Sequence, residues 1–240
     1  MTAFFCTMDN FFRRLKYYGI GFGIGMLFVF FFFKNKGCAW TPSNRVKSSI
    51  FERIIVLSET EQQKLSEMHI SNKELLQILR DGDIDFQKSE KSSRFKVYHI
   101  NCISKNGKNF VAKITLGEDS FISEIQFKST KSSKIKYSDK GFGKFIYFPK
   151  PKDLVYVDTT DVLICQQEAI KIKDNNKLYQ RIRKTGKIDF GKSNLYMNPK
   201  PEHYITFKDK NNRSIAAKGI WHMDKIEIVQ LLLDFKNDCN

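Results

Sequence analysis

Six side chains of this sequence could carry acid–base chemistry or bind a phosphate: His99, Lys113, His203, Tyr204, Arg213 and Lys218. Ribonucleases use these residue types as proton donors, proton acceptors and phosphate contacts. The set does not repeat as a unit, although the sequence around it does, because His99 aligns with Tyr204. A histidine on a strand is more often a hydrogen-bonded sheet residue than a catalyst. We therefore expect a protein that is not an enzyme, with RNA cleavage the least favoured alternative.

Motifs for other chemistry are absent from the sequence. The five cysteines are odd in number and scattered, with no C-x-x-C pair, and the four histidines never fall at metal-ligand spacing. This spacing argues against a structural metal and against a dense disulfide framework. No phosphate-binding loop, dinucleotide fingerprint, nucleophile elbow or H-E-x-x-H motif is found, so we expect no cofactor.

The sequence contains an internal duplication, which the stretches "DIDFQKSE" and "KIDFGKSN" reveal. Asn72–Ser89 and Asn176–Ser193 align without gaps, and nine of eighteen positions are identical. The similarity continues after a one-residue slip, where "KNGKNFVAK" matches "KNNRSIAAK". A duplication of this length predicts two copies of one structural unit.

Each copy has the pattern of a helix followed by a small antiparallel sheet. Ser71 begins the first helix as part of a capping box, and Gly82 follows its last turn. The second helix begins after Asp174 or Asn175 and ends before Gly186. Alternating strands and a hairpin turn follow each helix. The expected fold class is therefore α+β, with two duplicated helix-plus-antiparallel-sheet modules behind an N-terminal transmembrane helix.

The repeated motif itself is interpreted as structural. Its members are Ile84, Asp85, Phe86, Ile188, Asp189 and Phe190. The isoleucine and phenylalanine alternate onto one face and should anchor the corner between helix and sheet. The aspartate points the other way and is free to cap a turn or to pair with Lys88 or Lys192. A repeated aspartate without a repeated histidine or second acid nearby does not form a hydrolytic site.

This order of elements resembles a bacterial family known only as domain of unknown function 4258. The resemblance covers Asn72–Phe127 and Asn176–Phe235. It also extends to "KNKGCAWTPSNRV", where the matching positions are Cys38, Pro42, Asn44, Arg45 and Val46. It implies a small domain similar to the RelE/BrnT-type toxin fold. By analogy with that fold, the alternative function is a membrane-tethered module that binds RNA or the ribosome.

The N-terminal region is interpreted as a membrane anchor. Tyr17–Phe33 contains seventeen residues without a charge, and basic residues flank it on both sides. About 20 apolar residues span a bilayer, with about 17 as the lower bound. The residues that follow lack a small-x-small cleavage site, which favours an uncleaved helix over a signal peptide. We therefore expect a single-pass protein of the cell inner membrane that contacts the lipid bilayer, and either Met1 or Met8 could be its start.

Two further expectations concern this helix. Gly19, Gly21, Gly23 and Gly25 form two overlapping G-x-x-x-G pairs, a pattern that favours packing against another membrane helix or self-association. The alternative is the general tolerance of membrane helices for glycine. The flanking charges leave the topology undecided, with a slight preference for the N-terminus in the cytoplasm and the modules outside.

The segment between the copies is basic and aromatic. The formal net charge of the chain is +15, and residues 128–152 carry many lysines among phenylalanines and tyrosines. Its candidate contacts with an anion or partner are Lys131, Lys134, Lys136, Lys140 and Lys144. Such a segment could lie on anionic headgroups or stack on nucleic-acid bases, and the alternative is a solvated loop and hairpin. "YFPKPKDLVYVD" and "TDVLIC" are predicted as strands leading into the second copy.

These observations give an expected layout along the chain. Its parts are a tail and anchor (1–36), a juxtamembrane linker (37–70), the first module (71–127), a basic connecting segment with strands (128–173) and the second module (174–240). Within the linker, a strand or helix at Ile50–Leu57 and a polar helix at Glu59–Met68 are predicted. The leading expectation for function is a non-enzymatic binding or scaffold protein, whose two modules engage a protein partner with an enlarged sheet surface.

Overall fold

The computed structural model describes residues 3–34, 41–127, 137–138, 141–149, 154–157, 160–222, 225–235 and 239, with the backbone alone for residues 3–11 and 32–34. The chain divides into two compact units, Met1–Arg45 and Val46–Asn240. The helices of the described residues are α1 (Ala3–Lys34), α2 (Pro42–Phe51), α3 (Glu59–Glu67), α4 (Asn72–Asp81), α5 (Asp161–Ala169) and α6 (Asn175–Thr185).

The strands belong to one mixed sheet. They are β1 (Ile54–Ser58), β2 (Asp83–Glu90), β3 (Phe95–Ile103), β4 (Asn109–Gly117), β5 (Ile122–Phe127), β6 (Phe142–Tyr147), β7 (Val155–Val157), β8 (Lys187–Asp189), β9 (His203–Lys208), β10 (Ser214–His222) and β11 (Lys225–Leu233). Their order across the sheet is β2-β3-β4-β5-β1-β6-β8-β9-β10-β11-β7. The α+β class holds, but the expected pair of separate antiparallel sheets is wrong, because the strands form one continuous sheet with two parallel pairs, β1–β5 and β7–β11.

The first unit corrects the expectation of a membrane anchor. Helix α1 covers the apolar run, yet within the described residues no helix is long and apolar enough to cross a membrane. The uncharged stretch of seventeen residues reaches only the lower bound of the length that spans a bilayer. Four glycines and two tyrosines dilute it further, and Arg14 and Lys16 lie directly before it. The transmembrane helix, the single-pass topology and the inner-membrane localisation predicted from the sequence are therefore wrong.

The duplication extends further than the sequence alignment indicates. Helices α3 and α5 both have nine residues and begin at hydroxyl N-caps, Ser58 and Thr160. One residue beyond the C-cap, each helix is followed by a residue with positive φ, His69 at 55° and Lys171 at 56°. The backbone hydrogen bonds of these two helix ends also match. In each, the amide two residues beyond the C-cap donates a hydrogen bond to the carbonyl group five residues earlier. We therefore define copy one as residues 54–127 and copy two as residues 155–233.

With these boundaries the two copies have the same topology. Copy one orders its strands β2-β3-β4-β5-β1, and copy two orders the equivalent strands β8-β9-β10-β11-β7. Strand β6 pairs with β1 on one side and with β8 on the other, both antiparallel. The segment between the copies therefore supplies the strand that joins them into one sheet.

The linker and the connecting segment differ partly from the sequence predictions. The polar helix predicted at Glu59–Met68 is confirmed as α3, and the run at Ile50–Leu57 ends in strand β1. By contrast, "TDVLIC" was expected to be a strand but opens helix α5, because the Thr160 hydroxyl accepts a hydrogen bond from the Leu163 amide and caps a helix. A short apolar run cannot distinguish a strand from a buried helix by its periodicity alone.

The glycines after α4 and α6 occupy the predicted C-cap positions. Close packing, and not the backbone conformation, accounts for glycine there. Their φ angles are −64° at Gly82 and −69° at Gly186, which any residue can adopt. A Cβ at Gly82 would lie 2.8 Å from the carbonyl oxygen of Asn101, and a Cβ at Gly186 would lie 2.3 Å from that of Ile182. Strand β3 at Gly82 and the preceding helix at Gly186 leave no room for a side chain at these two positions.

Strand β1 lies between two hydrophobic cores. All five of its residues are buried. Ile55 and Leu57 pack in the core formed by copy one, whereas Ile54 and Val56 pack in a larger core that consists mainly of copy two. Burial on both faces explains why the strand reads as a continuous apolar run rather than an alternating one.

Candidate functional site

The repeated aspartate caps a turn in both copies. In copy one, the Asp85 Oδ1 atom accepts hydrogen bonds from the backbone amides of Gln87 and Lys88, each at 3.1 Å. In copy two, the Asp189 Oδ1 atom accepts one from the amide of Lys192 at 3.1 Å. The hydrogen bond from the Lys88 ammonium group, followed by the bonds from these amides, holds the pKa of Asp85 below its ordinary value. Both carboxylates are committed to local structure.

The serine that ends the motif joins the first two strands of each copy. The hydroxyl groups of Ser89 and Ser193 each donate to the carbonyl of their motif aspartate at 2.6 Å. They also accept a hydrogen bond from a backbone amide of the next strand, His99 at 3.1 Å and Tyr204 at 2.8 Å. The motif is written twice because each copy uses it to fix the same turn against the same neighbouring strand.

The apolar members of the motif lie in the cores, but not to the same extent. Ile188 is fully buried and Phe190 is 4% exposed, whereas Ile84 is 9% exposed and Phe86 only partly buried. The ammonium group of Lys91 lies 5.3 Å from the Phe86 ring centroid. Copy one therefore leaves this corner more open than copy two does.

The burial of the two aspartates leads to a testable difference in stability. We expect Asp189→Ala to lower the free energy of unfolding by about 1–2 kcal/mol, because the Asp189 side chain is buried and the Lys192 amide loses its acceptor. Asp85→Ala should cost less than about 1 kcal/mol, because solvent can replace the carboxylate there. Urea unfolding of the two variants measures the difference, and equal losses would contradict a role set by burial.

His203, one of the candidate acid–base residues, is a core residue. Its ring is fully buried and stacks on Phe121 with centroids 3.8 Å apart. The Nε2 atom is hydrogen-bonded to the Ser120 hydroxyl at 2.9 Å, and Nδ1 lies 3.2 Å from the Gly219 carbonyl oxygen. Burial lowers the pKa of His203 to about 3, so the ring is neutral at physiological pH. It is positioned to support the core and has no route to a substrate.

The other five candidates do not converge into one site. His99 lies directly opposite Lys113 on neighbouring strands, and Tyr204 lies opposite Lys218 at the equivalent place in copy two. Arg213 donates to Asp209 at 2.7 Å and stacks 4.0 Å from the Phe235 ring centroid. The arrangement gives two equivalent cross-strand pairs and one structural arginine, which is not the geometry of an acid and a base flanking one phosphate.

One of these pairs belongs to a partly exposed sheet surface, which we call the open face. It consists of residues from β7 and β9–β11 whose side chains share one side of the sheet: Tyr156, Tyr204, Lys218, Ile220, His222 and Glu227. The ammonium groups of Lys192 and Lys225 lie 5.0 Å and 5.9 Å from the two tyrosine ring centroids. The open face thus combines aromatic, aliphatic and charged groups.

Charges on the open face are largely paired. Lys218 lies 3.4 Å from the carboxylate of Glu202. The His222 Nε2 atom lies 2.5 Å from the carboxylate of Glu227, and Lys200 approaches the other ring nitrogen at 2.9 Å. The surface is therefore mixed in sign rather than uniformly basic.

The equivalent surface of copy one is covered. Lys113 is 6% exposed there, and Thr115 and Glu124 are fully buried. The Tyr137 hydroxyl accepts from the Gly117 amide at 2.6 Å and donates to a carbonyl of β5. The Ser138 amide donates to Glu124 at 2.9 Å. Two described residues of the connecting segment, Tyr137 and Ser138, thus pack on this face of copy one, and the described residues place nothing comparable over copy two.

The remaining predicted site residues are placed as follows. Lys131, Lys134, Lys136 and Lys140 lie outside the described residues, and Lys144 is exposed on β6. Within α1 no described atom lies within 4 Å of a Cβ built on Gly19, Gly21, Gly23 or Gly25. The described residues contain no group of three or more histidine, cysteine, aspartate or glutamate side chains that could hold a metal.

Sequence reasoning missed the open face and a disulfide. Tyr156, Ile220 and Glu227 come from separate strands, and their shared side becomes evident only when the strand register is known. The alternation of apolar and polar residues in "ITFK" along β9 was the signal available in the sequence. Cys165 and Cys239 form a disulfide across 74 residues, for which no spacing rule gives a signal.

Comparison with known proteins adds no relative, because no family model, curated protein or solved structure matches this chain. The resemblance to the domain of unknown function 4258 therefore stays a prediction.

Proposed function

We propose that this protein is a non-enzymatic scaffold that binds a protein partner through the open face of copy two. The observation that carries the proposal is the difference between the copies. The same strands carry a buried surface in copy one and a partly exposed one in copy two, with Lys113 at 6% exposure and the side chain of the equivalent Lys218 at 32%. A duplicated sheet that leaves one of its two faces accessible has a surface available for a partner.

The composition of the open face favours a protein over a nucleic acid. Tyrosine and aliphatic groups surrounded by charged residues are typical of protein interfaces, in which aromatic residues contribute most of the binding energy. Single-stranded nucleic acid requires a positively charged groove with accessible aromatic faces. Here the lysines cover the tyrosine rings, and Glu202 and Glu227 reduce the positive charge. Binding of RNA is the competing outcome.

Site-specific photo-crosslinking in the cells that produce the protein tests this proposal. A photoreactive residue replaces Ile220 in the centre of the open face, and a control chain carries it at Val162, which is 50% exposed on α5. We expect protein adducts at position 220 that survive ribonuclease and are absent at position 162. The combined change Tyr204→Ala and Lys218→Glu should reduce their yield at least about tenfold.

Two results would contradict the proposal. Adducts at position 220 that disappear with ribonuclease would assign the open face to RNA. Equal labelling at positions 162 and 220, or labelling that the double substitution leaves unchanged, would show that the open face is not a specific binding surface.

A further inference from the structure

The two copies also differ at the strand that begins each sheet. In copy two, β8 pairs with β9 on one side and with β6 on the other, with Gly143 opposite Ile188 and Lys144 opposite Lys187. In copy one, the equivalent strand β2 pairs with β3 and is the first strand of the sheet. In the part of the chain that the structure describes, the outer side of β2 has no strand partner.

Strand β6 closes the corner of copy two by close contact. A Cβ built on Gly143 would lie 2.5 Å from Ile188 and 2.7 Å from Phe190, so the backbone of β6 rests directly on these side chains. The next aromatic residue of the strand, Phe145, lies against Gly186, where a Cβ would meet its ring at 2.7 Å. One strand thus supplies both the backbone and the aromatic side chain that cover this corner.

The equivalent corner of copy one lacks such a cover and contains a cavity. Ile78 and Ile84 are 7% and 9% exposed, whereas the equivalent Ile182 and Ile188 are fully buried. A cavity of about 300 Å³ lies beside Gly82, between α4 and the β2–β3 pair. The equivalent groove of copy two, beside Thr185 and Lys187, has Phe142 of β6 in its lining.

The charge at this corner is opposite in the two copies. The cavity of copy one is lined by Glu74, Asp81 and Asp83, with Lys105 as its basic member. The corresponding groove of copy two is lined by Lys187 and Lys208 and contains no acid. Asp83 takes the position of Lys187, so a lysine placed like Lys144 would face a carboxylate in copy one instead of another lysine.

We propose that the outer edge of β2 binds an extended basic segment of a partner protein, as an added antiparallel strand. The segment repeats the chemistry of β6, an aromatic residue, a glycine, a lysine and a second aromatic residue. Its main chain pairs with β2, its lysine lies opposite Asp83, and its first aromatic side chain, the counterpart of Phe142, enters the cavity beside Gly82. Strand addition of this kind obtains its affinity from main-chain hydrogen bonds and its specificity from side-chain pockets. This surface is separate from the open face and does not depend on it.

A peptide with the sequence of residues 140–148, KGFGKFIYF, is the probe for this site. A fluorescein-labelled form is titrated with the full-length protein, and binding is followed by fluorescence anisotropy and by hydrogen exchange. We expect saturable binding with slower exchange in residues 83–85. Replacing the third residue of the peptide, its counterpart of Phe142, with alanine should weaken binding at least tenfold, because the cavity is then left empty.

Charge reversal in the protein provides the matched comparison. Asp81→Lys combined with Asp83→Lys gives the corner the charge of copy two and should weaken binding at least tenfold, and both side chains are exposed, so the fold tolerates the change. Glu67→Lys combined with Glu118→Lys alters the net charge equally at exposed positions elsewhere and should leave binding unchanged.

Three results would overturn the proposal. If the peptide binds both double variants equally, only the net charge of the protein attracts it. Altered exchange in residues 187–189 instead of 83–85 would show that the peptide displaces β6 from copy two. Sedimentation of the protein without peptide as a dimer, dissociated by the Asp81 and Asp83 substitutions, would identify a second copy of the chain as the occupant. Because the open face is not involved, the Tyr204 and Lys218 substitutions should leave peptide binding intact, which separates this test from that of the proposed function.

Discussion

Gly143→Ala is expected to lower the free energy of unfolding by roughly 3 kcal/mol, because the added methyl group has no room. Its Cβ would lie 2.3 Å from Val56, in copy one, and 2.5 Å from Ile188, in copy two. These neighbours are themselves fully buried and cannot move aside without disturbing the larger core. Urea unfolding followed by circular dichroism measures the change.

The position of Gly143 makes this substitution a test of how the copies are joined. Strand β6 is the only strand of the described sheet that pairs with both copies, through β1 and β8. Displacing it should expose the inner side of β8 as well as that of β1, and hydrogen exchange in residues 187–189 should accelerate together with that in residues 54–58. Faster exchange in only one of these strands would indicate that β6 is not what couples them.

Gly191→Ala is the matched control. A Cβ there would meet its nearest neighbour, an oxygen of Asp189, at 3.5 Å, which is an ordinary contact. The change should therefore alter stability by no more than about 0.5 kcal/mol. A comparable loss in both variants would mean that the cost arises from replacing glycine as such, not from the close packing at β6.

Local features of the fold could be predicted from the sequence because their determinants are adjacent in the chain. The Ser71 hydroxyl accepts from the amide of Glu74 at 3.2 Å, as the capping pattern predicts, and Asp174 caps α6 in the same manner. The duplication likewise predicted two units of similar structure. These signals require only a few residues on either side of a boundary.

Strand pairing could not be predicted in the same way. The parallel pairing of β1 with β5 places Ile54 beside Ile122, 68 positions later, with no turn to mark the connection. Strand β6 lies in a lysine-rich segment for which a solvated loop and hairpin was one interpretation. Its pairing could not be predicted because both of its partner strands are distant in sequence. The open face depends on the same strand register. Two of its members, Tyr204 and Lys218, were identified as candidate residues from the sequence, but not as parts of one surface.

The apolar run of α1 shows the opposite error. Its composition suggested a bilayer-spanning helix, yet a helix needs both length and sustained apolar character, and the described part of α1 does not combine them. The alternating glycines that suggested a packing surface also lower the apolar content of the helix, since each replaces a large side chain. The glycines thus support a helix-packing surface but weaken the interpretation of α1 as a bilayer-spanning helix.

Glu124→Gln is expected to change the pH dependence of stability by about 3 kcal/mol. Glu124 is fully buried on β5, and this burial raises the pKa of its carboxyl group to about 7 despite hydrogen bonds from Ser138. Between the ordinary value of 4.5 and about 7, the folded protein retains a proton that the unfolded chain has lost. Stability from this group is therefore complete below pH 4.5 and is lost as the pH rises through 7.

His203 acts in the opposite direction over part of the same range. Its pKa is lowered from 6.5 to about 3, so below pH 6.5 the unfolded chain binds a proton that the folded protein excludes. This contribution raises stability as the pH increases from 3 to 6.5 and should largely cancel that of Glu124 between pH 4.5 and 6.5. Removing the carboxyl group should therefore reveal an increase in stability with pH that the unaltered protein does not show.

The decisive quantity is the difference in unfolding free energy between Glu124→Gln and the unaltered protein, measured from pH 4 to 8. Other titrating groups cancel in this difference, which should shift in favour of the variant by about 3 kcal/mol as the pH rises. Glutamine keeps an oxygen that can accept from the Ser138 amide, so the local hydrogen bond is not the variable. A difference that stays constant with pH would mean that the carboxyl group of Glu124 is solvated in the folded protein, and the face of copy one would then be as open as that of copy two.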